Sequence, residues 1–255
     1  MPLLSKLKQY FRPWRQPFNK TRLPESEPSV AYDIWALQYD NQPDNLMLAL
    51  DERLCSYLLD TTPITGAVIV DVGCGTGRHW SKLYKKRPAR LLGFDVSQGM
   101  LDILKAKYPQ ATTTLLSDST LPGLDTASCD LVISTLTIAH IPDAEAALTE
   151  WNRVLKPGGQ IILTDYHPEA LAKGGQRTFR DKDKVIAVRN HIHPISAIRQ
   201  IAEKLGLAVL QTVEQPIDQS MRPWYEKQNA IPLFERYLGV PIIYGIQLKK
   251  SNVAD

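Results

Sequence analysis

Several features that would place this chain in a particular class are missing from its sequence. The 255 residues contain no apolar run close to the roughly 20 residues that a membrane-spanning helix needs. Only three cysteines are present, Cys55, Cys74 and Cys129, and their spacing fits neither a metal site nor a disulfide framework. There is no internal repeat or low-complexity tract. These absences argue against an integral membrane protein and predict a cytoplasmic protein with reduced thiols. The 44% hydrophobic content suffices for one full core.

Acidic residues are missing from the first 24 positions, although the whole chain has 27 of them. The same segment has six basic residues, and apolar residues such as Leu7, Phe11 and Trp14 recur at three- and four-residue steps. Two interpretations of residues 1–22 are open. A basic helix with an apolar face is typical of peripheral membrane contact, which is the first. The other is an arm that folds back onto its own domain, because two prolines interrupt the pattern. The basic residues are not followed by the apolar core of a secretory signal, so we do not expect a signal peptide.

The last glycine of a dinucleotide-binding fingerprint is also missing. The apolar strand Val68-Ile-Val-Asp-Val72 leads into glycines at positions 73, 75 and 77, but the fingerprint would place its third glycine at position 78, which is Arg78. Glycine adopts backbone conformations closed to other residues and lets a ligand approach the bare main chain. The segment therefore predicts a cofactor site of a different kind from that of a dehydrogenase.

This segment and the hundred residues after it resemble the class I S-adenosylmethionine-dependent methyltransferases, in the small-molecule, type 11 branch. Asp71 ends the first strand, and Arg90-Leu-Leu-Gly-Phe-Asp95 is a second strand that ends in an acid. The run Cys129-Asp-Leu-Val-Ile-Ser-Thr135 resembles the fourth strand of the family, and residues 150–159 resemble the helix and turn before the fifth. The resemblance implies an α/β fold with a Rossmann-like, seven-stranded, mostly parallel sheet whose last strand is antiparallel, helices on both faces and an N-terminal helical cap.

The same resemblance implies S-adenosyl-L-methionine as the cofactor. Asp95 would accept both ribose hydroxyls, since ligands of open α/β sheets lie beyond the carboxyl ends of the strands. Asp118 falls where the family has an acid that meets the adenine amino group. Tyr32 and Tyr39 lie in a segment that resembles the cap helix over the methionine end of the cofactor; alternatively, its aromatic residues only pack the helix onto the sheet. The expected cofactor contacts are Tyr32, Tyr39, Asp71, Gly73, Gly75, Gly77, Asp95, Val96, Met100, Asp118, Ser119 and Ser134.

These motifs also divide the chain. We expect a basic amphipathic arm and linker at 1–28, with the linker at 24–28, and a methyltransferase domain at 29–255. The parts of the domain are cap helices at 29–66, a cofactor-binding core at 67–165 and a substrate-side half at 166–255. Within that half, residues 214–239 form an aromatic-rich insert. The insert is either a wall of the acceptor pocket or a helical segment whose aromatic residues fill the core.

Four of the five histidines follow strand ends or precede a helix, on loops that ring the pocket in this topology. Methyl transfer depends mainly on holding the acceptor in line with the methyl group. A histidine, with an ordinary pKa of about 6.5, suits removal of an acceptor proton at neutral pH. We predict His140 as this base, with His167 and His193 as the next candidates; the alternative for each is a structural hydrogen bond. No metal is predicted, because the pair at 191 and 193 lacks further ligands at suitable spacing.

The aromatic cap and insert favour a small-molecule acceptor of aromatic or apolar character, without distinguishing attack by oxygen, nitrogen, sulfur or carbon. Ser134-Thr-Leu-Thr137 differs from the Asn-Pro-Pro-Tyr type of tetrapeptide in relatives that modify base amino groups. The mildly acidic body also argues against a nucleic acid partner. The alternatives are an RNA or protein methyltransferase and a non-catalytic, cofactor-binding regulatory subunit. No feature of the sequence favours a particular oligomeric state.

Overall fold

A computed structural model describes residues 23–252, and the structural statements below concern that range. Its strands are β1 (Glu25–Ser26), β2 (Val68–Val72), β3 (Arg90–Asp95), β4 (Thr112–Leu115), β5 (Cys129–Thr135), β6 (Leu155–Tyr166), β7 (Thr178–Asp181), β8 (Lys184–Val188), β9 (Leu207–Pro216) and β10 (Pro241–Lys250). Its α-helices are α1 (Pro28–Tyr39), α2 (Leu46–Asp60), α3 (Trp80–Lys85), α4 (Gln98–Lys107), α5 (Ala144–Val154), α6 (Pro168–Ala172), α7 (Ile195–Lys204), α8 (Arg222–Lys227) and α9 (Ile231–Tyr237).

Seven of these strands form the main sheet, in the order β4-β3-β2-β5-β6-β10-β9. Strands β2 to β6 pair in parallel, and β10 runs antiparallel to both of its neighbours, β6 and β9. The central strands are nearly continuous runs of valine, isoleucine and leucine because they are covered on both faces. The predicted fold class is therefore confirmed. The strand order reverses between β2 and β5, which opens a crevice at their carboxyl ends.

Helices cover both faces of this sheet. On one face α2, α3 and the insert bury side chains such as Leu58, Trp80 and Phe234, and on the other face α5 and α7 bury Trp151 and Ile198. Each buried apolar side chain of this size contributes about 1.5–3 kcal/mol. Side-chain caps fix where the helices begin: Asn45, Ser97 and Asp143 accept hydrogen bonds from the first turns of α2, α4 and α5. These starts hold the loops at the crevice in place.

A second sheet, which the sequence patterns do not predict, lies beside the cap helix. Strands β7 and β8 form an antiparallel hairpin, and β1 adds to β8 in parallel. The segment expected to be a linker therefore contributes a strand, because its backbone is paired with residues 187–188. The aromatic ring of Phe179 on β7 stacks on Trp35 of α1 with centroids 4.5 Å apart. This stacking and the packed Val188 form a small core of their own beneath α1.

Two features after the strands are set by the folded chain. The glycine turn after β2 continues through His79, so helix α3 begins only at Trp80. Strand β9 extends to Pro216, so the insert begins later than residue 214. The insert is helical, and its Phe234 and Tyr237 are buried in the main core, as in the core-filling alternative.

The basic arm and its expected membrane contact lie outside the described residues. Within residues 23–252, no helix combines the length and the apolar character needed to cross a bilayer.

Candidate active site

The glycine turn after β2 lies at the point where the strand order reverses. The backbone N–H groups of Gly73 and Cys74 both donate to the carbonyl oxygen of Phe94, at 2.7 and 3.0 Å, which ties the turn to β3. Gly73, Gly75 and Gly77 all have positive φ angles, of 72°, 52° and 73°. A Cβ atom on Gly73 would lie 2.1 Å from Thr137 Oγ1, whereas one on Gly75 would meet nothing within 4 Å. Gly75 therefore presents bare backbone to open space, as a ligand cradle requires.

Two buried carboxylates flank this turn. Asp95 accepts hydrogen bonds from the backbone N–H of Gly75, at 2.7 Å, and of Ser97, at 2.9 Å. Asp71 accepts one from Trp80 Nε1 at 2.8 Å. Burial raises the pKa of each carboxyl to about 6. Neither is ion-paired within the described residues. Two buried acids without a counter-cation beside open backbone fit a ligand that brings hydroxyl groups and positive charge.

The other predicted cofactor residues are placed in different ways. Val96, directly after Asp95, is 38% exposed. Asp118 is exposed, and hydrogen bonds from Thr120 to its carboxylate lower its pKa. The Oγ of Ser134 is buried and has no partner among the described residues. Met100 is packed beneath α1 with Trp35, which makes it a support of the cap.

Ser119 borders an open cavity of about 440 Å³ between the loop after β4 and helix α5. Its lining includes the acidic side chains of Asp143, Glu145 and Glu150 and contains no residue of the glycine turn. This cavity is therefore separate from the crevice where the glycines and buried acids meet.

Helix α1 is fastened over the crevice at two points. Asp33 accepts hydrogen bonds from Ser97 Oγ, at 2.6 Å, and from the backbone N–H of Gly99, at 2.9 Å. Asp40, at the end of the helix, accepts one from Thr76 Oγ1 in the glycine turn at 2.7 Å. The hydroxyl of Tyr39 has no hydrogen-bond partner among the described residues. The helix thus covers the turn and β3 end, as a cap over a bound cofactor would, and leaves a phenol free to meet it.

A buried polar network joins this cap to the ends of β5 and β6. Arg177, just before β7, is 8% exposed. Its Nη2 donates to Asp165 Oδ1 at 2.7 Å, and its Nη1 donates to the carbonyl oxygen of Leu136 at 2.5 Å and contacts the Tyr32 hydroxyl at 3.1 Å. Nε of Arg177 is buried without a partner in the described chain. An unpaired buried donor costs about 1–3 kcal/mol, so this atom needs an explanation.

His140 is the predicted residue that lies in this network. Its Nδ1 donates to the carbonyl oxygen of Arg189 at 2.7 Å, so Nε2 carries the lone pair and accepts from the Tyr32 hydroxyl at 2.9 Å and from Arg177. Burial and the Arg177 charge hold the pKa of His140 well below its usual range. Its basic nitrogen is therefore both weak and already engaged, which is a poor arrangement for a general base.

The other two predicted histidines have structural bonds. His167 caps α6 by accepting from the backbone N–H of Glu169 at 3.1 Å, and its Nε2 donates to Glu214 at 3.0 Å. His193 Nε2 donates to the carbonyl oxygen of Ile141 at 2.8 Å. His140 thus lies at the crevice, whereas both ring nitrogens of His167 form hydrogen bonds that hold the fold.

A second charged cluster behind the glycine turn was not predicted. Asp51 of α2 is fully buried and accepts from Arg78, His79 and Thr164. Burial alone would raise its pKa, but Arg78 and His79 outweigh that effect and hold the pKa well below the ordinary range. Only the position of Arg78 after the glycines hinted at this cluster. Arg177 lies in no recognisable motif, and no local signal could have found it.

Comparison with known proteins finds methyltransferases. Residues 70–163 match the family model of a methyltransferase domain. A malonyl-[acyl-carrier protein] O-methyltransferase of Serratia marcescens is 31% identical over 136 residues, covering 53% of this chain and 51% of that protein. An uncharacterized methyltransferase of Emericella nidulans is 30% identical over 229 residues, covering 74% of this chain and 78% of that protein. The chain spans 40% to 51% of the length of three curated relatives that it matches, the Serratia protein among them.

Solved structures with a similar fold are also named as methyltransferases. An S-adenosylmethionine-dependent methyltransferase from Mesorhizobium loti superposes with a TM-score of 0.59 at 20% identity, covering 76% of this chain and 96% of that one. With the fold, the glycine turn and the sequence matches together, this chain belongs to the class I S-adenosylmethionine-dependent methyltransferases. Within that class it falls in the methyltransferase type 11 branch, and its cofactor is S-adenosyl-L-methionine.

Proposed function

We propose that this chain transfers the methyl group of S-adenosylmethionine to a small organic acceptor held under the cap helix. The observation that carries the proposal is the open backbone of Gly75 between the buried carboxylates Asp71 and Asp95. When bound, the cofactor supplies an activated methyl group on a sulfonium. Asp95 would hold the ribose hydroxyls, while Asp71 and the Tyr39 hydroxyl would face the amino-acid end.

The acceptor would lie between the cap, the β7–β8 hairpin and the carboxyl ends of β5 and β6. Tyr32 and Trp35 stack with centroids 5.7 Å apart, and Phe179 extends the stack. These rings form the small core beneath α1, so an acceptor on this side of the crevice would pack beside aromatic residues, which favours an aromatic or apolar body. The cap helix covers the crevice and the hairpin packs against this helix, which favours a small acceptor group over the surface of a folded macromolecule. In-line displacement needs little more from the protein than this positioning.

One group of relatives supports a methyl acceptor that is an organic acid. The Serratia marcescens protein is named for O-methylation of a malonyl group on acyl-carrier protein. That name describes a short acid group on a carrier protein and not a nucleic acid base. We therefore place oxygen first among the acceptor atoms.

Calorimetry with S-adenosylmethionine tests the cofactor site. We expect binding by the wild-type chain and a dissociation constant about 10- to 100-fold higher for Asp95→Asn, because hydrogen bonds to a charged group contribute about 1.5–3 kcal/mol. Asp60→Asn, at an exposed helix end, is the matched control and should bind normally. Wild-type chain incubated with methyl-labelled cofactor and a small-molecule cell extract should yield labelled product. Binding without any product would indicate the regulatory alternative.

A further inference from the structure

The guanidinium of Arg177 has more hydrogen-bond donors than the surrounding protein uses. Arginine has five N–H groups. One hydrogen of Nη2 goes to Asp165, and the two of Nη1 are shared among Leu136, His140 and Tyr32. The hydrogen on Nε and the second hydrogen on Nη2 have no acceptor in the described chain. Arg177 can therefore bind a further acceptor without giving up its structural bonds.

The carboxylate of Asp165, which is the ion-pair partner of Arg177, also accepts hydrogen bonds from other groups. The carboxylate of Asp165 also accepts from the backbone N–H groups of Ala139, at 2.8 Å, and Tyr166, at 2.6 Å. Asp165 thus accepts from three donors and takes only one hydrogen of the guanidinium, which keeps donors for a second anion. A planar guanidinium matches a carboxylate better than other anchors do, because two of its N–H groups can bind both oxygens.

Arg177 lies beside the glycine turn. Its Nη1 holds the carbonyl oxygen of Leu136, a non-glycine residue with φ of 54°. The next residue, Thr137, packs against Gly73 at the start of the turn. The cap residue Tyr32 closes the cluster from the other side. An anion on Arg177 would consequently sit next to the backbone that cradles the cofactor, and strain of this kind at Leu136 is commonly found at functional sites.

The cluster also lacks a free base. Both ring nitrogens of His140 are engaged, so an acceptor held at Arg177 that must lose a proton would find no free ring nitrogen within this cluster. A carboxylic acid has no such need, since it is already ionised at neutral pH. The two observations, spare guanidinium donors and an occupied histidine, favour the same kind of acceptor.

We propose that Arg177 binds the carboxylate of a carboxylic acid with an aromatic or apolar body, and that the product is its methyl ester. This inference rests on the proposed function. One carboxylate oxygen forms the new bond to the methyl carbon while the methyl–sulfur bond breaks. The electron pair of that bond stays on sulfur, which leaves a neutral thioether, and no proton is transferred.

Alkali lability tests the proposal directly, because methyl esters release methanol in base whereas N-methyl, C-methyl and ether products do not. The full chain is incubated with methyl-labelled cofactor and benzoic, phenylacetic or octanoic acid, each beside its primary amide and alcohol, and with an acidic fraction of a cell extract. We expect alkali-volatile label from acids alone. Arg177→Lys should raise KM for the acid, lowering kcat/KM about 10- to 100-fold. Its cofactor dissociation constant should be unchanged.

Arg153→Lys is the matched control, since Arg153 is also paired with a carboxylate, that of Glu150, and should keep wild-type kinetics. If Arg177→Lys does not fold, the double variant Arg177→Gln with Asp165→Asn removes both charges together. We expect this variant to fold and to bind the cofactor but not to methylate the carboxylic acids. Cofactor binding with only alkali-stable products, or with none, overturns the inference and leaves the cofactor site intact. Absence of cofactor binding by the wild-type chain overturns the proposed function instead.

Discussion

Tyr32 on the cap helix donates a hydrogen bond to Nε2 of His140 across 2.9 Å. The two residues are 108 positions apart in the chain, and their bond joins the cap to the loop after β5. Because Arg177 also donates to the same nitrogen, His140 acts as a shared acceptor between the cap and the acceptor side of the crevice. The histidine therefore holds other side chains in place.

Replacing His140 should accordingly have a modest kinetic effect. A general base contributes about 10²–10⁴-fold to a rate, so its loss would be severe. We expect His140→Gln to lower kcat less than about tenfold, because glutamine can still accept a hydrogen bond. Steady-state kinetics from pH 6 to 9 should show no histidine ionisation in kcat. A loss of a hundredfold or more, beside normal kinetics for His193→Gln, would restore His140 as the base.

Substitution of Gly75 separates ligand contact from backbone strain. Gly75→Ala places a methyl group in the open space of the cradle, and at φ of 52° it should cost about 1 kcal/mol of folding free energy. Gly239→Ala is matched, since Gly239 also has positive φ, 81°, and open surroundings. Urea denaturation should show similar losses for both. Only Gly75→Ala should weaken cofactor binding in calorimetry; equal binding by both variants would contradict the cradle.

Cofactor affinity should fall in mild acid. Burial raises the pKa of Asp71 and Asp95 from 3.8 to about 6 in the free protein. A ligand with positive charge and hydroxyl donors prefers the ionised carboxylates, so below pH 6 each must lose a proton on binding. We expect the dissociation constant to rise between pH 7.5 and 5, by at most about tenfold per pH unit for each group. A flat calorimetric profile would count against both assignments.

The same raised pKa values act on the stability of the free protein with a defined sign. The folded-state pKa of about 6 lies above the ordinary value of 3.8. The contribution of Asp71 and Asp95 to stability is therefore fully present below that ordinary value and is lost as the pH rises through about 6. Bound cofactor should remove this loss, which thermal unfolding at pH 5 and 7.5 can measure.

The hydrogen bonds between Asp33 of the cap helix and the start of α4 should control the rate at which the cofactor dissociates. Asp33→Ala removes the acceptor of two hydrogen bonds, from Ser97 and Gly99. The expected loss of folding free energy is about 1–2 kcal/mol, and stopped-flow measurements should show faster cofactor dissociation. Asp102→Ala, on the exposed side of α4, is the control. Unchanged dissociation in Asp33→Ala would mean that the cap does not close the site.

The sequence by itself determined the cofactor side of this protein. An apolar strand, three alternating glycines and an acid at the next strand end, Asp95, are local patterns, and their consequences are set by backbone conformation and strand direction. The same patterns placed the seven-stranded sheet. They did not predict the hairpin at 178–188, whose strands are short and lack clear alternation.

Only the tertiary structure decided the acceptor side. Arg177 meets Tyr32 across 145 positions of sequence and Asp165 across 12, and its partners come from the cap, the loop after β5 and the end of β6. A single arginine has no periodic signal, so its burial and its unused donors arise only when these elements pack. The histidines show the same division: their loops were predictable, but their ring partners, and hence their basicity, were set by residues distant in sequence.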